Sequence, residues 1–176
     1  MLLYQCFVGI ILNCVKICLM LMLITCNNPK VVANYLRYKL QELKQEIFLV
    51  IDLDVKGKII EEREVFRGSL DMSLIHPREI FKNSIKNSAA SIICVHNHPS
   101  GDATPSLEDI KTTYKLLNVG NILGIEVLDH IVVARSGYCS LKQVLNILGD
   151  NNVSYENFSK NYFESIIKNH NLVKKY

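Results

Sequence analysis

Ser91-Ile92-Ile93-Cys94-Val95-His96 is an apolar run with no alternation, ended by a histidine. Such a run reads as a strand buried on both faces, which belongs inside a sheet. A second strand, Ile47 to Leu53 (IFLVIDL), is equally rich in branched and aromatic residues. Asp54-Val55-Lys56-Gly57 then predicts a hairpin turn, and Lys58 to about Phe66 the return strand. Helical periodicity precedes and follows these strands. Val32, Leu36, Leu40 and Leu43 form one face of a helix over 30–43. His76-Pro77 opens another, with Glu79 in its first turn and Ile80, Phe81, Ile85 and Ala89 facing inward. Pro105 to about Asn118 predicts a third, ended by Gly120. Ile125 to Ala134 and Tyr138 to Leu141 read as strands separated by a Ser136-Gly137 turn. One hairpin together with helices that follow strands argues a layered α/β sheet with both parallel and antiparallel pairs.

Nearly half of the 176 residues are hydrophobic and 21% are charged, which excludes a disordered chain. The net charge of +3 is too small to argue nucleic-acid binding, and much of it lies in a C-terminal stretch that reads as a solvated polar helix or tail. No basic patch with interleaved aromatics appears. The six cysteines form no CxxC pair and no regular framework, so free thiols in a reducing, cytoplasmic compartment are expected. Leu2 to Ile24 is apolar and long enough to span a bilayer, but Lys16 lies near its middle, where a charge costs roughly 2.5–3.5 kcal/mol. A buried or remnant helix is favoured over a membrane span there. A secretory signal is disfavoured, because no basic residue precedes the run and no small-x-small site follows it. The expected organisation is an apolar segment over 1–27, one catalytic-type domain over 28–148 and a polar tail over 149–176.

The chemistry concentrates in His96-Asn97-His98-Pro99-Ser100-Gly101, followed by Ser106 and Asp109. Strand periodicity puts His96 and His98 on one side at a strand end, and the Pro-Ser-Gly turn fixes the chain just after them. Asp109 reaches the same point from the first turn of the next helix. Three N/O ligands suit a zinc ion with an open fourth position, which implies chemistry and not structure alone. Ser106-Leu107-Glu108-Asp109 also reads as a capped helix start, and either histidine alone as an ordinary buried one. The two patterns occurring together favour the metal.

His96-x-His98, seven residues, Ser106, two residues and Asp109 resemble the JAMM signature of the MPN/JAB metalloproteases. HNHPSGDATPSLEDI, with Gly68-Ser69-Leu70, His76-Pro77-Arg78-Glu79-Ile80-Phe81-Lys82 and Leu128-Asp129-His130-Ile131, resembles the RadC branch (UPF0758-type) of that family. The likeness covers about Asn28 to Leu141. It implies a mixed-sheet α/β sandwich of the MPN/JAB, cytidine-deaminase-like type. It also implies zinc held by His96, His98 and Asp109, and a catalytic glutamate at the start of an early strand. Glu46 matches that position; Glu42 is its neighbour in competition, and Glu79 reads as a helix-start charge. The implied reaction is hydrolysis of a peptide or isopeptide bond in a peptide or protein substrate, with Glu46 moving the proton and Ser106 donating to the oxyanion. His76 and His130 are candidates for groups around the ligands or the substrate, with a structural role favoured for each, and Cys94 is expected to be a small buried hydrophobe. Proteins of that branch also carry an N-terminal helical domain, for which this chain has the apolar stretch instead, so a truncated product is expected. The rival functions are a non-catalytic MPN scaffold and a DNA-associated protein. A nucleobase deaminase is excluded by the lack of a P-C-x-x-C segment.

Overall fold

The computed structural model describes residues 28–68, 75–150 and 160–176. The readings for the apolar N-terminal segment and for Ser69 and Leu70 lie outside the described residues. Helix α1 (Pro29–Leu40) starts at Asn28, whose side chain accepts the Lys30 N–H at 2.9 Å, and ends with Arg37 and Lys39 against its C-terminal dipole. Strands β1 (Glu46–Leu53) and β2 (Ile59–Gly68) form the expected hairpin, whose turn is tied by Asp54 Oδ1 accepting from the Lys56 and Lys58 N–H groups. Helix α2 (Pro77–Lys86) and strand β3 (Ser91–Asn97) follow. Helix α3 (Leu107–Leu123) crosses to strand β4 (Glu126–Ala134), which lies parallel to β3. Strand β5 (Gly137–Ser140), helices α4 (Leu141–Asp150) and α5 (Lys160–Asn169) and strand β6 (Val173–Lys174) complete the domain.

The six strands form one sheet in the order β2-β1-β3-β4-β5-β6, mixed in direction as expected. Side-chain alternation splits its core into two layers. Ile47, Leu49, Ile51 and Leu53 of β1, with Ile93, Val95, Ile131 and Val133, pack under α1. Phe48, Val50, Ile92 and Cys94 face the other way, against Ile80 and Phe81 of α2 and Leu116 of α3. His96 and His130 lie on this second face, touching Phe48. One ring pair is near-parallel with centroids 6.3 Å apart, and the other is edge-on at 5.2 Å. The two-layer burial of β3 is therefore what delivers a histidine to the side covered by α3.

Three expectations are corrected. Helix α3 runs past Gly120 and ends at Gly124, whose φ of +70° gives the left-handed cap. Gly120 serves close packing instead, since a Cβ there would lie 2.6 Å from the Ile125 carbonyl oxygen. Ile85 does not face inward. It is exposed, and Ser84 takes the buried position because its hydroxyl joins a polar network with Asp52 and Arg63. The helix expected in the C-terminal stretch is present as α5, but in its described part it is packed and not a solvated tail. Phe163, Ile166 and Ile167 make an inward stripe at helical spacing, and with Leu172 they pack on Ile110, Val132, Cys139 and Leu148. Beyond them β6 pairs with β5, and the Tyr176 hydroxyl donates to the Ala134 carbonyl at 2.9 Å. Among the described residues no helix is long and apolar enough to cross a membrane.

Candidate metal centre

Asp109 enters the centre because α3 begins where it does. Ser106 is its N-cap, with Oγ accepting the Asp109 N–H at 3.1 Å, while Asp109 Oδ2 accepts the Ser106 N–H at 2.6 Å. This capping box turns the carboxylate back across the helix start, toward the end of β3. There His96 Nε2 lies 3.1 Å from His98 Nε2 and 3.4 Å from Asp109 Oδ1, and His98 Nε2 lies 3.6 Å from Asp109 Oδ2. One geometry thus makes the capping box and also brings Asp109 to the two histidines, as the metal reading requires.

The donor set fits a zinc ion. Ligand atoms about 2.0–2.1 Å from a tetrahedral ion sit about 3.3 Å from one another; the two imidazole nitrogens are 3.1 Å apart, and each ring approaches one of the two Asp109 oxygens, at 3.4 and 3.6 Å. His96, His98 and Asp109 form the group of metal-capable side chains found among the described residues. Each imidazole is held by a partner on its far nitrogen. His98 Nδ1 lies 2.8 Å from the Asp102 carbonyl oxygen and His96 Nδ1 lies 2.8 Å from His130 Nε2. His96 and Asp109 are almost wholly buried, whereas the His98 side chain keeps 15% of its exposure, so the centre opens to solvent beside His98.

Burial sets the charge states. It pulls His96 down to about 4, only partly opposed by the Asp109 carboxylate. Burial likewise takes His130 well below the ordinary histidine range. At His98 burial is outweighed by the Asp109 carboxylate, the Asp102 carbonyl and the Glu46 charge, and the group is raised. Asp109 is held far below the usual carboxylate range: burial opposes this, but the facing imidazoles and the Ser106 N–H prevail.

Glu46 opens β1, two residues before Phe48, which pairs with His96. Its backbone is clamped from both sides by the buried Asn97. Asn97 Oδ1 accepts the Ile47 N–H at 2.7 Å and Nδ2 donates to the Gln45 carbonyl at 3.1 Å. The Glu46 charge, after that of Asp109, acts on His98. Glu42 is exposed beyond α1, and Glu79 is exposed and paired with Arg78. His76 is exposed at the cap of α2. Cys94 is buried in β3, and burial pushes its thiol up, which makes it a poor nucleophile. Sequence reasoning did not assign Thr113, Asn97 or the Asp102 carbonyl, and it favoured a structural role for His130 over one around the ligands; His130 bonds directly to His96. Only the position of Asn97 between the two histidines gave any signal.

On the opposite face Asp129 lines a cavity of about 320 Å³ with Val32, Ile93, Leu128 and Lys142. Burial raises its carboxyl to about 6, against the pull of the Ser140 hydroxyl and the Lys142 and His130 N–H groups that it accepts. The folded chain thus holds a proton on Asp129 at pH values where the unfolded chain, near pH 4, has released it. This contribution is fully present below about pH 4 and is lost as pH rises through about 6, a span worth up to about 3 kcal/mol. Denaturant titration of the wild type and Asp129→Asn checks it. The wild type should gain on the variant between pH 7 and pH 4; a constant difference contradicts it.

A mixed α/β sandwich that presents His-x-His at a strand end and an aspartate from the first turn of the following helix is a JAB-type domain. The RadC-like JAB domain family matches residues 26–146, and the chain belongs to that family. It is similar to a UPF0758 protein of Clostridium perfringens, 48% identical over 117 residues, covering 66% of this chain and 52% of that protein. It is also similar to UPF0758 protein YsxA of Bacillus subtilis, 50% identical over 116 residues, covering 66% of this chain and 50% of that protein. The chain spans about half the length of the curated relatives it matches.

Proposed function

We propose that this chain is a zinc-dependent hydrolase of the JAMM type, cleaving a peptide or isopeptide bond in a peptide or protein substrate with water. The observation that carries the reading is the convergence of two imidazole nitrogens and one carboxylate, buried on one side and open beside His98. His96, His98 and Asp109 would hold the ion. When bound, it would supply Lewis acidity and bring the pKa of water to about 7. Glu46, whose charge acts on His98, accepts the water proton on its carboxylate as the C–O bond forms and delivers it to the leaving amine as the C–N bond breaks. Ser106 Oγ accepts from the Asp109 N–H, which leaves its own proton to donate to the oxyanion. One such donor is worth about 10²–10³ in rate. The two described cysteines, Cys94 and Cys139, are free and buried, which agrees with a reducing, cytoplasmic setting.

Glu46→Gln separates catalysis from binding. The variant should keep one zinc per chain and the wild-type melting temperature, yet lose about 10²–10⁴ in hydrolysis of a mixed peptide and isopeptide library read by mass spectrometry. Equal cleavage by both proteins would remove Glu46 from the mechanism. A zinc-loaded wild type that cleaves nothing in the library would favour a non-catalytic scaffold.

A further inference from the structure

We propose that Thr113 and His130 are positioning residues that fix the proton of His96 on Nδ1 and so present a bare Nε2 to the ion. The inference rests on the metal reading above and extends it to two residues outside the ligand set. Thr113 lies one turn after Asp109 in α3. Its Oγ1 is 2.6 Å from the Asp109 backbone carbonyl oxygen and 2.6 Å from His130 Nδ1. His130 Nε2 is in turn 2.8 Å from His96 Nδ1. All three side chains are buried, so each contact needs a proton between its two atoms.

The proton count leaves one satisfactory arrangement. A carbonyl oxygen can only accept, and a threonine hydroxyl has one proton. Thr113 must therefore donate to Asp109; otherwise two acceptors face each other at 2.6 Å in the interior. Thr113 Oγ1 then accepts from His130 Nδ1–H. His130 Nε2 is left bare and accepts from His96 Nδ1–H, and His96 Nε2 is bare in its turn. A doubly protonated His130 would bury a charge against the Phe48 ring. His98 carries a proton on Nδ1 independently, because the Asp102 carbonyl can only accept from it. The bare His96 Nε2 thus faces His98 Nε2 at 3.1 Å beside the Asp109 carboxylate, an arrangement that a cation relieves.

The chain of bonds also closes a loop. It leaves one ligand, His96, and returns through His130 and Thr113 to the backbone of another, Asp109. The strand that carries His96 and the helix that carries Asp109 are therefore tied together behind the centre. Removing the Thr113 hydroxyl frees His130 Nδ1–H of its acceptor and frees the His96 ring to take the other tautomer, with its proton on Nε2 where the ion would sit.

The test uses the full chain. Nitrogen-15 NMR of the metal-free protein should show His96 protonated on Nδ1 and bare on Nε2, a readout that needs no variant. Competition for zinc against a chromophoric chelator should show Thr113→Val about 10–100-fold weaker than wild type, with Thr113→Ser within a few-fold of it. A His96 proton on Nε2, or equal zinc affinity in Thr113→Val, would overturn the inference and leave the metal reading standing. Failure of the wild type itself to take up zinc would overturn both.

Discussion

Replacing Asp109 with alanine is expected to abolish zinc binding and hydrolysis together, while the chain stays folded. The carboxylate is one of the three proposed ligands and the only anionic one, so two imidazoles 3.1 Å apart would remain to face a divalent ion alone. Losing the ion removes several kcal/mol of transition-state stabilisation, and each 1.36 kcal/mol is tenfold in rate, so the loss should exceed about 10³-fold. The structural cost is separate and smaller. Asp109 Oδ2 accepts the Ser106 N–H as half of the capping box, and losing such a cap costs about 1 kcal/mol. That is a fall of roughly 2–4 °C in Tm for a chain of this size. Zinc linkage distinguishes the two effects. At 100 times its Kd, zinc should stabilise the wild type by about 2.7 kcal/mol, and the variant should show no zinc-dependent shift. A stoichiometric ion bound to Asp109→Ala would place the metal elsewhere.

Arg63→Met should cost about 3–5 kcal/mol, the largest stability loss expected at a residue outside the core and the centre. Asp52 is fully buried in β1, and Arg63 of β2 is its ion-pair partner. Arg63 Nη2 also donates to the Ile80 carbonyl at 2.7 Å and to Ser84 Oγ at 2.8 Å, while Ser84 and Asn87 donate to Asp52. Methionine keeps the apolar stem and removes the charge, so the buried Asp52 loses its ion-pair partner and α2 loses its tie to the sheet edge. Chemical denaturation measures the loss. The double variant Asp52→Asn/Arg63→Met should recover a large part of it, because the uncompensated charge is then gone. A single variant within about 0.5 kcal/mol of wild type would contradict the network's role.

The clustering of His96, His98 and Asp109 was legible in the sequence because a strand end, a turn and a helix start bring the three side chains together within one short stretch. The β1–β2 hairpin and the doubly buried β3 were legible for a similar reason, since both patterns are local. The supports of the centre were not. His130 stands alone in its segment, and it reaches His96 only because β4 lies parallel to β3 in a register that pairs it with Cys94. Thr113 resembles any helical threonine until that register brings His130 to its hydroxyl. Ile85 was misread because helical periodicity alone does not reveal that Ser84 has polar partners on another element. The C-terminal stretch was misread because its lysines were given more weight than the Phe163-Ile166-Ile167 stripe, whose partners lie on α3, β4 and α4.

Anomalous scattering at the zinc edge, on crystals of the full chain grown with zinc, bears most directly on the centre. One peak should lie within about 2.0–2.2 Å of His96 Nε2, His98 Nε2 and an Asp109 carboxylate oxygen, with a fourth position open toward Glu46. No peak there, or an Asp109 side chain turned out to solvent, would contradict the metal centre and the hydrolysis built on it.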